Sequence, residues 1–156
     1  MNTTTQPQTG ASFSWRGLLV ALALVCVWRT GLAALGAAPA NPANATASVT
    51  AAYRTIENLL DNGTRVQEFV TPAGVVFAVT WRGPVLPDLR ALLGDYLSLF
   101  QQHTEATRQA GMRGGPVNLV QERLVLRSSG RMGQFSGYAY VPSLVPAGVN
   151  INDVLG

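Results

Sequence analysis

The run Val75 to Arg82 (VVFAVTWR) constrains this chain more than any other stretch, because its residues suit a strand and little else. β-Branched and aromatic side chains dominate it, and these fit a pleated surface better than a helix. Val75, Phe77, Val79 and Trp81 fall on one face, and Val76, Ala78, Thr80 and Arg82 on the other. A heavily apolar face backed by a mixed one predicts the central strand of a meander, packed on one side. Upstream, Tyr53 to Leu60 and Thr64 to Thr71 flank Asp61-Asn62-Gly63. Asn-Gly between two strand-like runs is a strong short-range hairpin signal. Pro72-Ala73-Gly74 then turns the chain into the alternating run.

Gly83-Pro84 ends that strand, and Pro87-Asp88 opens a helix. Proline is tolerated in a first turn, and the Asp88 carboxylate can accept from the free amides there. Leu89, Leu92, Leu93, Tyr96, Leu97 and Phe100 make one apolar stripe at helical spacing, and the helix fades between His103 and Gln109. Gly94 inside it costs about 1 kcal/mol relative to alanine, which marks a close approach to the sheet. Gly111 to Pro116 reads as a loop, Val117 to Arg127 as a strand, Ser128-Ser129-Gly130-Arg131 as a turn and Met132 to Val141 as a last strand. Pro142 to Gly156, with its spaced prolines, is expected to wrap the domain. The expected class is α+β: an antiparallel sheet of about five strands, in β-β-β-α-β-β order, covered by one main amphipathic helix.

Ahead of this domain, Gly17 to Trp28 (GLLVALALVCVW) is almost wholly apolar, follows Arg16 and precedes small residues at Gly31, Ala33 and Ala34. A basic flank, a short apolar core and a small-x-small site form the pattern of a secretory signal peptide. The core, about 12 residues, falls short of the roughly 20 that a membrane-spanning helix needs. Extending it towards Ala40 would bury Arg29, at a cost of about 3 kcal/mol. The expected cut lies between Ala33 and Ala34. Residues 1–33 are then the signal peptide, 34–51 a flexible Ala- and Pro-rich lead-in, and 52–156 a single α+β domain. An uncleaved amino-terminal anchor shares the same hydropathy.

The cut removes Arg16, Arg29 and Cys26. Nine arginines then face eight acids, a net charge of +1 in place of +3, and the two signs are interspersed. A nucleic-acid domain carries a concentrated basic stripe, so no nucleic-acid partner is expected. Without cysteine, disulfides and thiolate metal sites are excluded, and the core alone must hold the fold. The roughly 123 residues left are enough for one domain burying about two thirds of its unfolded surface. Every basic side chain is arginine, as a GC-rich bacterial genome would produce.

Chemistry is hard to find. Nucleophilic catalysis needs a base beside the nucleophile, and His103 is the one histidine, near the fading end of the helix. No Gly-x-Ser-x-Gly elbow occurs, and the acids are too scattered to suggest a metal site. A hairpin turn accounts for Asp61-Asn62-Gly63, and Arg113-Gly114-Gly115 lacks the lysine of a phosphate loop. No catalytic residue, metal or cofactor is assigned. What survives is an aromatic and arginine-rich surface. Tyr138 and Tyr140 share one face of the last strand, and Trp81-Arg82 sits where the central strand meets the helix, beside Asp88. With Arg131 these are the candidate binding residues, since arginine beside aromatic rings grips a partner protein, a glycan or an anionic ligand. The competing reading places Trp81 in the core and the tyrosines over the sheet.

Glu68 to Trp81 (EFVTPAGVVFAVTW) resembles the central block of a bacterial family of unknown function, domain-of-unknown-function family 2844. Gly83 to Leu89 (GPVLPDL), Leu92-Leu93-Gly94, Tyr96 and Pro142 to Val149 (PSLVPAGV) continue the similarity. Ala34-Leu35-Gly36 resembles the family's start just after its signal peptide, which supports the cut after Ala33. The resemblance implies an exported, mostly proteobacterial, single-domain protein, and it supplies no catalytic residue. The expected function is a non-catalytic binding or structural module of the cell envelope, in the periplasm or outside the cell, with an envelope protein or a glycan as partner. Two alternatives remain open. One is a small periplasmic hydrolase or lyase using Asp88, His103 or an arginine. The other is an inner-membrane-anchored accessory subunit that meets the membrane only through its uncleaved amino-terminal segment.

Overall fold

The computed structural model describes residues 34–39, 46–50, 52–112 and 114–156. The expected signal peptide, including Ala33 of its cleavage position, lies outside the described residues, as does Arg113 of the glycine loop. Turn chemistry sets the first half of the fold. Strands β1 (Thr46–Val49), β2 (Arg54–Leu59), β3 (Arg65–Val70) and β4 (Val76–Gly83) run as an antiparallel meander. The Asp61-Asn62-Gly63 turn is closed by the Gly63 N–H donating to the Leu60 carbonyl and by Asn62 Oδ1 accepting from the Thr64 amide. Helices α1 (Leu89–Leu93) and α2 (Leu97–Gln109) then carry the chain to the far edge of the sheet. From there β5 (Val117–Val120), β6 (Val125–Arg131) and β7 (Gln134–Tyr140) return towards the centre, where β7 pairs with β4. The result is an α+β fold with one main helix and a seven-stranded antiparallel sheet in the order β1-β2-β3-β4-β7-β6-β5.

The expected count of about five strands is corrected to seven by two local features. Part of the stretch expected as a flexible lead-in forms β1, paired with β2. The single expected strand Val117 to Arg127 folds instead into two, through a tight turn in which the Leu124 N–H donates to the Gln121 carbonyl. The next turn also moves. Ser128 to Gly130 pair with Gly137 to Phe135 inside the ladder, and the chain reverses at Met132-Gly133.

A bulge reshapes the central strand. Phe69 pairs with Ala78 and Val70 with Val76, so Phe77 has no partner on β3. One extra residue reverses the alternation beyond it. Val79 and Trp81 join the core on the helix side, while Phe77 packs with Phe69 and Ala78 on the other side, so the expected common face of Phe77, Val79 and Trp81 is split. Both faces are therefore used. The helix side buries Val66, Val79, Trp81, Leu126 and Ala139 beneath Leu92 and Leu93. On the opposite side Val154 of helix α3 (Ile151–Leu155) covers Phe69 and Phe77, with Tyr53 edge-on to both rings at 5.9 and 6.0 Å. The proline-spaced tail thus caps one end of that face. The expectation of a sheet packed on one side only is corrected accordingly.

The helix is interrupted at Gly94, whose φ of +51° ends α1 before a single tight turn leads into α2. Its capping is as the sequence implies: Asp88 Oδ1 accepts from the Arg90 amide at 2.9 Å. The close approach marked by Gly94 is to Ala34 rather than to the sheet, for a Cβ on Gly94 would lie 2.6 Å from that of Ala34. Ala34 to Ala37 form a strap. Leu35 is 2% exposed, its N–H donates to the Leu92 carbonyl, and Gly36 and Ala37 exchange hydrogen bonds with Val76. No helix among the described residues is long and apolar enough to cross a membrane.

Candidate functional site

Away from the end covered by α3, the second face of the sheet is open, and the register lays its side chains in rows across the strands. Arg65, Arg82, Ser136 and Ser129 stand side by side on β3, β4, β7 and β6. The next row reads Gln67, Thr80, Tyr138, Arg127 and Asn118. Beyond it Phe69, Ala78 and Tyr140 begin the apolar end under α3. The two polar rows border a groove of about 770 Å³, within the range of a small-ligand site. Leu155 and Gly156 close it on one side and Pro116 to Asn118 on another. Trp81, Gly137 and Ser128 also border it, although alternation assigns these three positions to the opposite face.

Hydrogen bonds hold part of this surface in place. Glu57 on β2 pairs with Arg65 at 2.7 Å and accepts from Gln67 Nε2 at 2.8 Å. The Thr80 hydroxyl donates in turn to Gln67 Oε1 at 3.4 Å. The ion pairs among the described residues are Arg65–Glu57 and Arg108–Glu105, which leaves Arg82 and Arg127 without a carboxylate partner there. Arg65 stands directly opposite Arg82, and like charges in that relation are destabilising. The lining contains no histidine, cysteine, aspartate or glutamate. It is a cationic, hydroxyl- and amide-rich surface, whose guanidinium groups are donors of the kind that charge-assisted hydrogen bonds use.

The structure distributes the six residues singled out from sequence. Arg82 and Tyr138 line the groove, and Tyr140 lies beside it with its ring 6.3 Å from that of Tyr138. Arg131 is on the same face, two residues beyond Ser129 at the hairpin tip, and does not line the groove. Trp81 belongs to the helix-side core at 2% exposure, with its ring against Gly137. Its indole N–H has no hydrogen-bond partner among the described residues. Asp88 caps α1 and is not part of the groove. Ala34 of the expected cleavage position begins the strap against Gly94. His103 borders a separate depression of about 330 Å³ with Thr107 and Met112, between α2 and β5. Among the described residues no group of three or more histidine, cysteine or acidic side chains is placed to hold a metal ion.

Sequence reasoning missed Arg65, Gln67, Thr80, Arg127, Ser129 and Ser136. Arg65, Gln67, Thr80 and Arg127 each alternate with a core residue on their own strand, and that signal is in the sequence, whereas Ser129 and Ser136 have no buried neighbour on theirs. Their gathering into one surface depends on a register that short strands do not announce. Reasoning from sequence also gave no role to the buried pair of Asn58 and Glu68, whose side chains meet at 3.3 Å on the helix side.

Among known families, the one described as "Protein of unknown function (DUF2844)" matches residues 31–154. No curated protein and no solved structure matches the chain.

Proposed function

The chain belongs to the DUF2844 family, and on that premise we propose that it is an exported, non-catalytic binding module of the bacterial cell envelope. Its binding surface is the open sheet face centred on Arg82, Arg127 and Tyr138. The observation that carries this reading is the assembly of two polar rows from five adjacent strands around one groove, with two arginines that have no carboxylate partner among the described residues. Folding rarely gathers cations without counter-charge unless something else supplies it, because their repulsion weakens the folded state. The lining offers no base to a serine or threonine, which favours binding over hydrolysis. The signal-peptide pattern of residues 1–33 supports an envelope address.

Affinity capture from an envelope extract tests the binding surface. The wild-type protein is expected to retain a specific component that Arg82→Gln/Arg127→Gln loses. Equal retention by both proteins would contradict the assignment. Amino-terminal sequencing of the exported protein tests the address, with a start at Ala34 expected and a start at Met1 contradicting it.

A further inference from the structure

We infer that the open sheet face binds an acidic oligosaccharide, with Arg82 and Arg127 taking its carboxylate or phosphate groups and Tyr138 stacking on a sugar ring. This rests on the binding-face reading above and names its ligand class. Charge comes first. Arg65 pairs with Glu57, while Arg82 and Arg127 have no carboxylate partner among the described residues, so the side chains of the open face carry an excess of positive charge. The two are separated by strand β7 and by one row of the register. Strands lie about 4.8 Å apart, and successive same-face residues roughly 6.6 Å apart, so their backbones are on the order of 12 Å from one another. A ligand with more than one negative group along its length can engage both at once.

The remaining lining indicates what bears those groups. Gln67, Thr80, Ser129, Ser136 and Asn118 present hydroxyls and amides, donors and acceptors in mixture, as a ligand rich in hydroxyl groups requires. Tyr138 is partly exposed between Thr80 and Arg127, and its ring forms a tilted platform with Tyr140, 30° from parallel. Such a ring offers an apolar face to the C–H side of a sugar while its hydroxyl stays solvated. An acidic peptide would more naturally add to a strand edge, through backbone hydrogen bonds. This groove lies across five strands on the face of the sheet, and the backbone groups of four of them, β3, β4, β7 and β6, are already paired on both sides.

Isothermal titration of the exported protein distinguishes the cases, using a galacturonic acid hexamer, its fully methyl-esterified form, a phosphorylated oligosaccharide of similar length and polyglutamate of matched charge. Binding of the hexamer or of the phosphorylated sugar is expected, and which of them binds tells carboxylate from phosphate. Neither the methyl ester nor polyglutamate should match it. Arg82→Gln and Arg127→Gln should each weaken Kd about tenfold to a hundredfold, the worth of a charge-assisted hydrogen bond. Tyr138→Ala should weaken whichever charged sugar binds. Both arginines are exposed, so these variants keep the fold, and an unchanged thermal transition verifies it. Equal binding of the methyl ester would overturn the role of charge, and tighter binding of polyglutamate would assign the face to acidic peptides. Absence of binding to both charged sugars would also overturn the inference. If envelope capture still depends on Arg82 and Arg127 in that event, the glycan assignment fails and the binding face stands. If capture is indifferent to them, the binding face itself fails.

Discussion

Gly94 shows how a single position can carry opposite signs in the sequence and in the fold. In a regular helix, replacing it by alanine would stabilise the protein by about 1 kcal/mol. Here the residue has φ +51° and faces the Ala34 side chain, so Gly94→Ala is expected to destabilise by about 2 kcal/mol, read as a lower thermal midpoint. A gain in stability would mean that the strap of Ala34 to Ala37 does not dock there. Leu35 probes the same contact from the other side. It is 2% exposed and bonded through its amide to Leu92, so Leu35→Ala should cost about 2–4 kcal/mol in chemical denaturation. A residue in a flexible lead-in would show a change near zero. Sequence composition hides this anchor, because one leucine among alanines and prolines carries no periodicity, and its burial depends on a groove that forms only when α1 has met β4.

Elements were legible in the sequence to the degree that their signal was local. The Asn-Gly hairpin, the strand after Pro72-Ala73-Gly74 and the Asp88 cap all follow from chemistry within a few residues, and each is present. The bulge at Phe77 is different in kind. Nothing within Val75 to Arg82 breaks the alternation, and the extra residue appears only through pairing with β3. The split of Val117 to Arg127 was masked for a related reason: Gln121-Glu122-Arg123 lacks the glycine or asparagine that usually marks a turn. The bulge makes a separate small core out of Phe69, Phe77 and Val154. Phe77→Ala is therefore expected to cost about 3–5 kcal/mol and to loosen the tail, seen as faster amide exchange from Ile151 to Leu155. Unchanged exchange in α3 would separate the tail from that core.

At the scale of the whole molecule, two faces of one sheet do different work. The helix side supplies stability through Val66, Val79, Trp81, Leu126 and Ala139 under Leu92 and Leu93. The opposite side is divided between an apolar end sealed by α3 and an open, cationic end formed by Arg65, Arg82, Arg127 and their polar neighbours. Sequence alone carried only Arg82 and Tyr138 of this surface, because those residues were visible on single strands. The rest required the order β3-β4-β7-β6, which brings residues some sixty apart in the chain, such as Arg65 and Ser129, into one row. The central claim is that this open face is where the protein binds. Amide chemical-shift mapping during titration with envelope extract tests it directly. The account predicts perturbations gathered at Arg65 to Gln67, Thr80 to Arg82, Arg127 to Ser129 and Ser136 to Tyr138. Perturbations confined to α2, to the depression beside His103 or to the edge strand β1 would contradict it.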